Sequence, residues 1–366
     1  MIDNTNSNYI DKNLQTMLFP LNLMQNMMFF PKYSIYNNNI RSNSLLSNFV
    51  SLCTTIAVIS LHLYRSYKLY SDNIIREFIN ILYITSYFDI ILTCIGFTIN
   101  FIVSVYQSKN NVLFILKLQK VHTFLNGEQQ FKRFMYRNWM FLVFEFLYFT
   151  FGLCFFCVKL NLPKYDYFCS LTALCFDVNL VYAIRMIKLL SDKVELWNIE
   201  AQKLLQLNYV DIESHCQKMF DAYVHILECY DLFQCSYQQL IMFNSVQFFF
   251  HFLFYLQIAV DPRAIITLIS VCQYLLRNLI YQVMLSVNCE RFYTGITNAQ
   301  TSCALILHSD CTDAERRLAK NIKRLHRAAF TKMNACGIFY VDATLPLKLS
   351  ELTSNYTAVL LQFAFL

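Results

Sequence analysis

An all-α membrane protein with seven transmembrane helices is the fold class this sequence predicts, and three observations predict it. Hydrophobic residues fill 56% of the 366 positions and charged residues only 15%, with a mean hydropathy of +0.37. Soluble domains carry about a quarter charged residues. The charges vanish over long windows and cluster between them. Seven windows, at about 44–64, 78–106, 138–160, 165–190, 236–260, 264–289 and 346–366, reach the length that crosses a hydrocarbon core of about 30 Å. The helix breakers respect these windows: Pro20, Pro31, Pro163, Pro262 and Pro346 all avoid their middles.

Taken in order, residues 1–43 are rich in Asn and Ser and carry one short apolar patch, "MLFPLNLMQNMMFFP", interrupted by Pro20 and Pro31. It is too short to span and is expected to form a cytoplasmic pre-helix near the first span. No basic stretch and short apolar core mark a secretory signal. Pro163 and Pro262 punctuate short connectors between spans three and four and between five and six. No glycine occurs between Gly152 and Gly295, so spans four and five are free to continue as helix beyond the membrane. Residues 187–235 accordingly read as a cytoplasmic helical extension. Its apolar positions Met219, Tyr223 and Leu227, with Phe220 and Val224, recur at helical spacing. Residues 44–289 thus form a six-helix region, 290–345 a basic cytoplasmic linker and anchor segment, and 346–366 the seventh helix. Within the linker, "CTDAERRLAKNIKRLHRAAF" (311–330) predicts a helix capped by Thr312 or Asp313, solvated beneath the anionic cytoplasmic leaflet.

Lys and Arg orient the spans. With the amino terminus inside, the cytoplasmic segments hold 23 basic residues and the outer connectors 6. The carboxyl terminus then lies outside, inverse to a G-protein-coupled receptor, which is the competing function class. The net charge of +6 belongs to these loops and implies the lipid bilayer rather than nucleic acid as partner. The 14 cysteines scatter through apolar runs, and the Cys154–Cys157 pair has no second pair or His cluster, so no metal or cofactor is expected. No catalytic motif emerges. Internal repeats and broken helices that would mark a transporter are not found.

Ionisable side chains inside spans are costly and therefore informative. They are Asp89, Glu145, Asp177, His251 and Arg277, accompanied by Tyr83, Tyr87, Tyr167, Phe252, Tyr255, Gln273 and Tyr274. Aromatic walls with a few polar groups suit a small-molecule pocket. The competing readings are core packing for the aromatics and a structural pair of Arg277 with Glu145 or Asp177. Three acids against one Arg leave an acidic excess suited to a cationic ligand.

On the last helix, Glu351, Asn355, Ala358 and Gln362 follow i, i+4, i+7, i+11 and share one face. A polar face at membrane depth must meet water or protein, because an unpaired amide in lipid costs several kcal/mol. Either hydrogen bonds to other helices of the same subunit or an aqueous pore satisfies it. The terminal seventy residues resemble the carboxyl-terminal signature of insect gustatory receptors. Gly337, Phe339 and Asp342 occupy the positions of its "G-F-F-x-L-D" type segment, and Tyr356, "TAVLL", Gln362 and Phe363 those of its last span. Asn355 replaces the usual Thr. The opening "FPLNLMQNMMFFPKY" resembles the start of such receptors more loosely. The resemblance implies a tetrameric, tastant-gated cation channel in the plasma membrane, as homomer or heteromer, with seventh helices lining a central pore and a tastant pocket near the outer face of each subunit. On that reading Gln362 faces the ions when the channel opens. Val359, Phe363 and Leu366 close it by dewetting, and Glu351 shapes the cytoplasmic vestibule.

Overall fold

A computed structural model describes residues 8–71, 80–125, 128–159, 163–204, 211–259 and 265–365. Along the described residues run α1 (Lys12–Met27), β1 (Ser34–Tyr36), β2 (Asn39–Arg41), α2 (Leu45–Ser71), α3 (Asn80–Tyr106), α4 (Ser108–Phe124), α5 (Glu128–Lys159) and α6 (Lys164–Thr172). They continue with α7 (Leu174–Leu204), α8 (Ile212–Ala259), α9 (Ile265–His308), α10 (Asp313–Ala329), β3 (Asn334–Ala335), β4 (Phe339–Tyr340) and α11 (Leu345–Phe365). The fold is helical as expected, with two small antiparallel hairpins that apolar periodicity does not reveal. The first pairs Ser34 with Arg41 and Tyr36 with Asn39 across a two-residue turn. Both turn residues, Asn37 and Asn38, take positive φ (49° and 61°), a conformation that asparagine tolerates better than most residues.

Four described stretches are long and apolar enough to cross a membrane: α2, Tyr87–Tyr106 of α3, Lys132–Phe155 of α5, and Lys164–Leu204 through α6 and α7. The runs at 236–260, 264–289 and 346–366 each reach a residue outside the description, at 260, 264 and 366. The apolar patch near the amino terminus is the helix α1, with Pro20 inside it and its buried face (Leu14, Met17, Leu21, Met24) turned to the core. Helix α2 continues to Ser71, past the expected end at 64, and carries Arg65 into the bundle.

Three helices run well beyond a bilayer. The 48 residues of α8 extend about 72 Å at 1.5 Å per residue, more than twice the hydrocarbon thickness. Helix α9 continues to His308, nineteen residues past the expected end of its span at 289. The projecting parts of α7, α8 and α9 pack into a stem joined by α4 and α10. Its core contains Trp197, fully buried, whose Nε1 donates to the Met219 carbonyl at 2.9 Å and whose ring lies 5.2 Å from that of Tyr223. Asn198 Nδ2 donates to the Gly295 carbonyl (2.9 Å) and joins α7 to α9. Helix α4 lies between the expected second and third spans; Phe114, Ile115, Leu118 and Val121 bury its inner face. Lys193 of α7 binds His122 Nδ1 (2.9 Å) and the Leu125 carbonyl (2.7 Å), which fastens α4 to the stem.

Helix α10 has the expected cap. Glu315 N–H donates to Thr312 Oγ1 and Glu315 Oε2 accepts from the Thr312 N–H at 2.7 Å, a reciprocal capping box. Its partners lie on α8. Arg317 pairs with Glu213 (3.1 Å) near the start of α8, and His326 reaches the Tyr223 hydroxyl (3.5 Å). The helix therefore stands along the stem. Glu213 precedes the apolar run that begins at 236 by 23 residues, about 35 Å of helix.

Candidate functional site

Among the described residues, two polar clusters joined by ion pairs lie between the helices, the first partly buried and the second buried. The first is the more exposed of the two. Arg65 of α2 bonds Asp166 of α6 (2.6 Å) and Asp89 of α3 (3.4 Å). His251 Nε2 of α8 meets the other Asp89 oxygen at 2.9 Å, and its Nδ1 meets the Tyr274 hydroxyl of α9 at 2.7 Å. Tyr87 donates to the Ser66 carbonyl (3.0 Å), and His62 Nε2 contacts Thr172 Oγ1 (3.1 Å). One chain of hydrogen bonds thus joins five helices.

The second cluster lies deeper. Arg277 of α9 pairs with Asp177 of α7 at 2.7 Å, and both are buried. One turn along α9, Tyr281 donates to Glu145 of α5. The Arg277 guanidinium sits 5.0 Å above the Phe149 ring and 5.5 Å from that of Tyr274. Tyr274 therefore belongs to both clusters, its hydroxyl to the first and its ring to the second. Beside it Gln273 occupies the space that a side chain at Gly152 would need, 2.6 Å from an added Cβ. Glycine at 152 lets α9 place this amide against α5.

The structure brings together Asp89, His251 and Tyr274, and separately Glu145, Asp177 and Arg277. The side chains of Tyr83 and Tyr255 lie outside the described residues. The expected acidic excess changes character. Asp89 and Asp177 each hold a cationic partner, and Glu145 takes a neutral hydroxyl. Sequence reading missed Arg65, because its charge closes the apolar window of the first span and assigned it to the outer connector. It also missed Tyr281, although the i+4 spacing from Arg277 was there to be read.

The motif segment before α11 has a clear local logic. Cys336 and Gly337 take φ of 53° and 81° in the turn that pairs Asn334 with Tyr340 and Ala335 with Phe339. An added Cβ at Gly337 would meet nothing within 4 Å, so glycine serves the backbone conformation there rather than a close approach. Phe339 packs on the main core. Asp342 Oδ1 accepts from the Thr344 N–H (3.0 Å) and hydroxyl (2.6 Å) and starts α11. Partial burial opposes ionisation of Asp342, yet these hydrogen bonds and Lys332 and Lys348 hold its carboxyl below the usual range. Tyr293 of α9 clamps the hairpin: its hydroxyl donates to the Val341 carbonyl (2.9 Å) and accepts from the Met333 N–H (3.1 Å).

On α11 itself Thr353 is buried, and Tyr356 meets the Phe249 ring of α8 edge-on at 5.6 Å. Glu351, Asn355, Ala358, Val359 and Gln362 are exposed in the single chain. The Phe363 side chain and all of Leu366 lie outside the described residues.

The chain is similar throughout its length to a solved receptor. The structure of the insect olfactory receptor OR5 from Machilis hrabei superposes with a TM-score of 0.65 at 13% sequence identity, covering 96% of this chain and 100% of the other. The fold is that of an insect olfactory receptor. No protein-family profile matches the chain, and no curated protein matches its sequence.

Proposed function

We propose that this protein is a chemosensory receptor of the gustatory type, a tetrameric, tastant-gated, non-selective cation channel of the plasma membrane. Its seven helices cross with the amino terminus cytoplasmic and the carboxyl terminus extracellular, and its partners assemble as a homo- or heterotetramer. The observation that carries this reading is the face of α11. In an olfactory-receptor fold, Asn355 and Gln362 are exposed on a helix that the sequence sends across the bilayer. Amides there need water or a neighbouring subunit, and a shared aqueous pore supplies both. Glu351, Asn355 and Gln362 then line the conduit, and Val359, Phe363 and Leu366 close it. The tastant binds beside the two polar clusters, where Phe149, Gln273 and Tyr274 offer aromatic surface and one amide. Such walls favour bitter plant compounds over sugars, whose many hydroxyls would find few partners. With Arg65 and Arg277 beside the acids, the ligand need not be a cation.

Substituted cysteines at 355 and 362 test the pore. During agonist application they should react with a water-borne thiol reagent and change the current; inert cysteines at both positions would end the channel reading. Phe363→Ala should raise ligand-free conductance, and an unchanged basal current would remove Phe363 from the gate.

A further inference from the structure

The guanidinium of Arg185 is a buried cation without a carboxylate partner among the described residues. The side chain is only 4% exposed. Its Nε donates to Asn138 Oδ1 at 2.7 Å, and Asn138 is itself fixed by donating Nδ2 to the Met17 carbonyl at 3.0 Å. The guanidinium lies 4.4 Å from the Phe134 ring centre and 5.2 Å from that of Phe141. Its Nη2 finds no acceptor among the described residues. The acid whose charge acts on it, Asp192, is bonded to Lys188 at 2.6 Å. An uncompensated buried charge costs several kcal/mol, so a counter-anion is expected.

Position indicates what that anion is. Arg137 lies 22 residues from Lys159 on α5, about 33 Å, and the 2.7 Å bond to Asn138 holds Arg185 at the same level. Both arginines thus sit at the cytoplasmic boundary of a core about 30 Å thick. Arg133 and Arg137 are exposed on α5, and Arg137 is near enough for its charge to act on Arg185. Tyr136 and Trp139, both exposed, flank them at the level where such rings anchor in headgroups.

We propose that Arg133, Arg137 and Arg185 form a site for the headgroup phosphate of an anionic inner-leaflet phospholipid. Arg185 supplies the preorganised guanidinium at the floor, Arg133 and Arg137 the charge at the rim, and Trp139 and Tyr136 seat the glycerol and first acyl carbons. The site rests on the orientation proposed above but not on channel activity, so lipid binding and gating can fail separately.

The test is fluorescence anisotropy of a labelled short-chain phosphatidylinositol phosphate with the detergent-solubilised full-length protein. Arg133→Gln with Arg137→Gln should weaken Kd at least ten-fold, and Arg185→Lys, which keeps charge but loses the planar fork, at least five-fold. The double variant changes only exposed residues, so it keeps the test meaningful if Arg185→Lys fails to fold. Arg316→Gln with Arg317→Gln on the stem should change Kd less than two-fold. Equal binding by wild type and the rim variant would overturn the proposal, as would an equal loss in the stem variant, which would mean diffuse attraction. Competition by phosphatidylcholine as strong as by the anionic lipid would also overturn it. Displacement by inositol phosphate at the lipid's own concentration would do the same, by assigning the site to a free phosphate.

Discussion

Removing the partner of a buried carboxylate gives the sharpest check on the second cluster. Arg277→Met leaves Asp177 buried without a cation, and leaves Glu145 with the Tyr281 hydroxyl alone. Both members of the pair are almost wholly inside the bundle. Breaking such a pair by deleting one side costs about 3–5 kcal/mol, whereas replacing both by neutral groups of similar shape costs little. For a chain of 366 residues that loss corresponds to a Tm roughly 4–7 °C lower. Arg277→Met combined with Asp177→Asn should recover most of it, so the second change would stabilise the first variant while destabilising the wild type. The assay is the melting of solubilised protein followed by fluorescence-detected size exclusion, run as a double-mutant cycle. Additive losses in the double variant would refute the argument, since they would mean that Asp177 and Arg277 act independently.

Other consequences concern the stem and the hairpin. Gly337→Ala places a side chain at a φ of 81° and should cost about 1–2 kcal/mol, read as reduced thermal stability or surface expression. Tyr293→Phe leaves the Val341 carbonyl and the Met333 N–H without their shared hydroxyl. A loss of about 1–3 kcal/mol should follow, visible as faster hydrogen exchange across 333–345. Burial first, and then the Lys193 ammonium, lower the pKa of His122 from 6.5 to about 4. Because the folded state binds the proton less well than the unfolded state, this stabilisation is complete above about pH 6.5 and fades toward pH 4. Tm should therefore fall on acidification through that window, and His122→Gln should flatten the fall.

Much of this architecture is legible in one dimension because the bilayer is a strict solvent. Apolar length, proline placement and the scarcity of glycine from 152 to 295 are enough to announce long helices and a projecting stem. The Thr312 cap and the terminal motif are local chemistry and are equally readable. The hairpin at Asn37 and Asn38 was available to a reading of turn residues rather than of apolar periodicity. Arg65 was not, because a charge at the end of an apolar window looks like a loop residue until Asp89 and Asp166 are seen beside it.

What the sequence by itself determined is which segments must be helical and buried in lipid or protein, since each buried backbone group and each apolar run admits few other solutions. What only the tertiary structure decided is which charges meet. Asp177 chose Arg277, Glu145 chose Tyr281, Asp89 joined Arg65 with His251, and Arg185 was left with an amide and two rings. Partners of this kind come from helices distant in sequence, and a helix's period fixes a side chain's direction but not the neighbour that waits there.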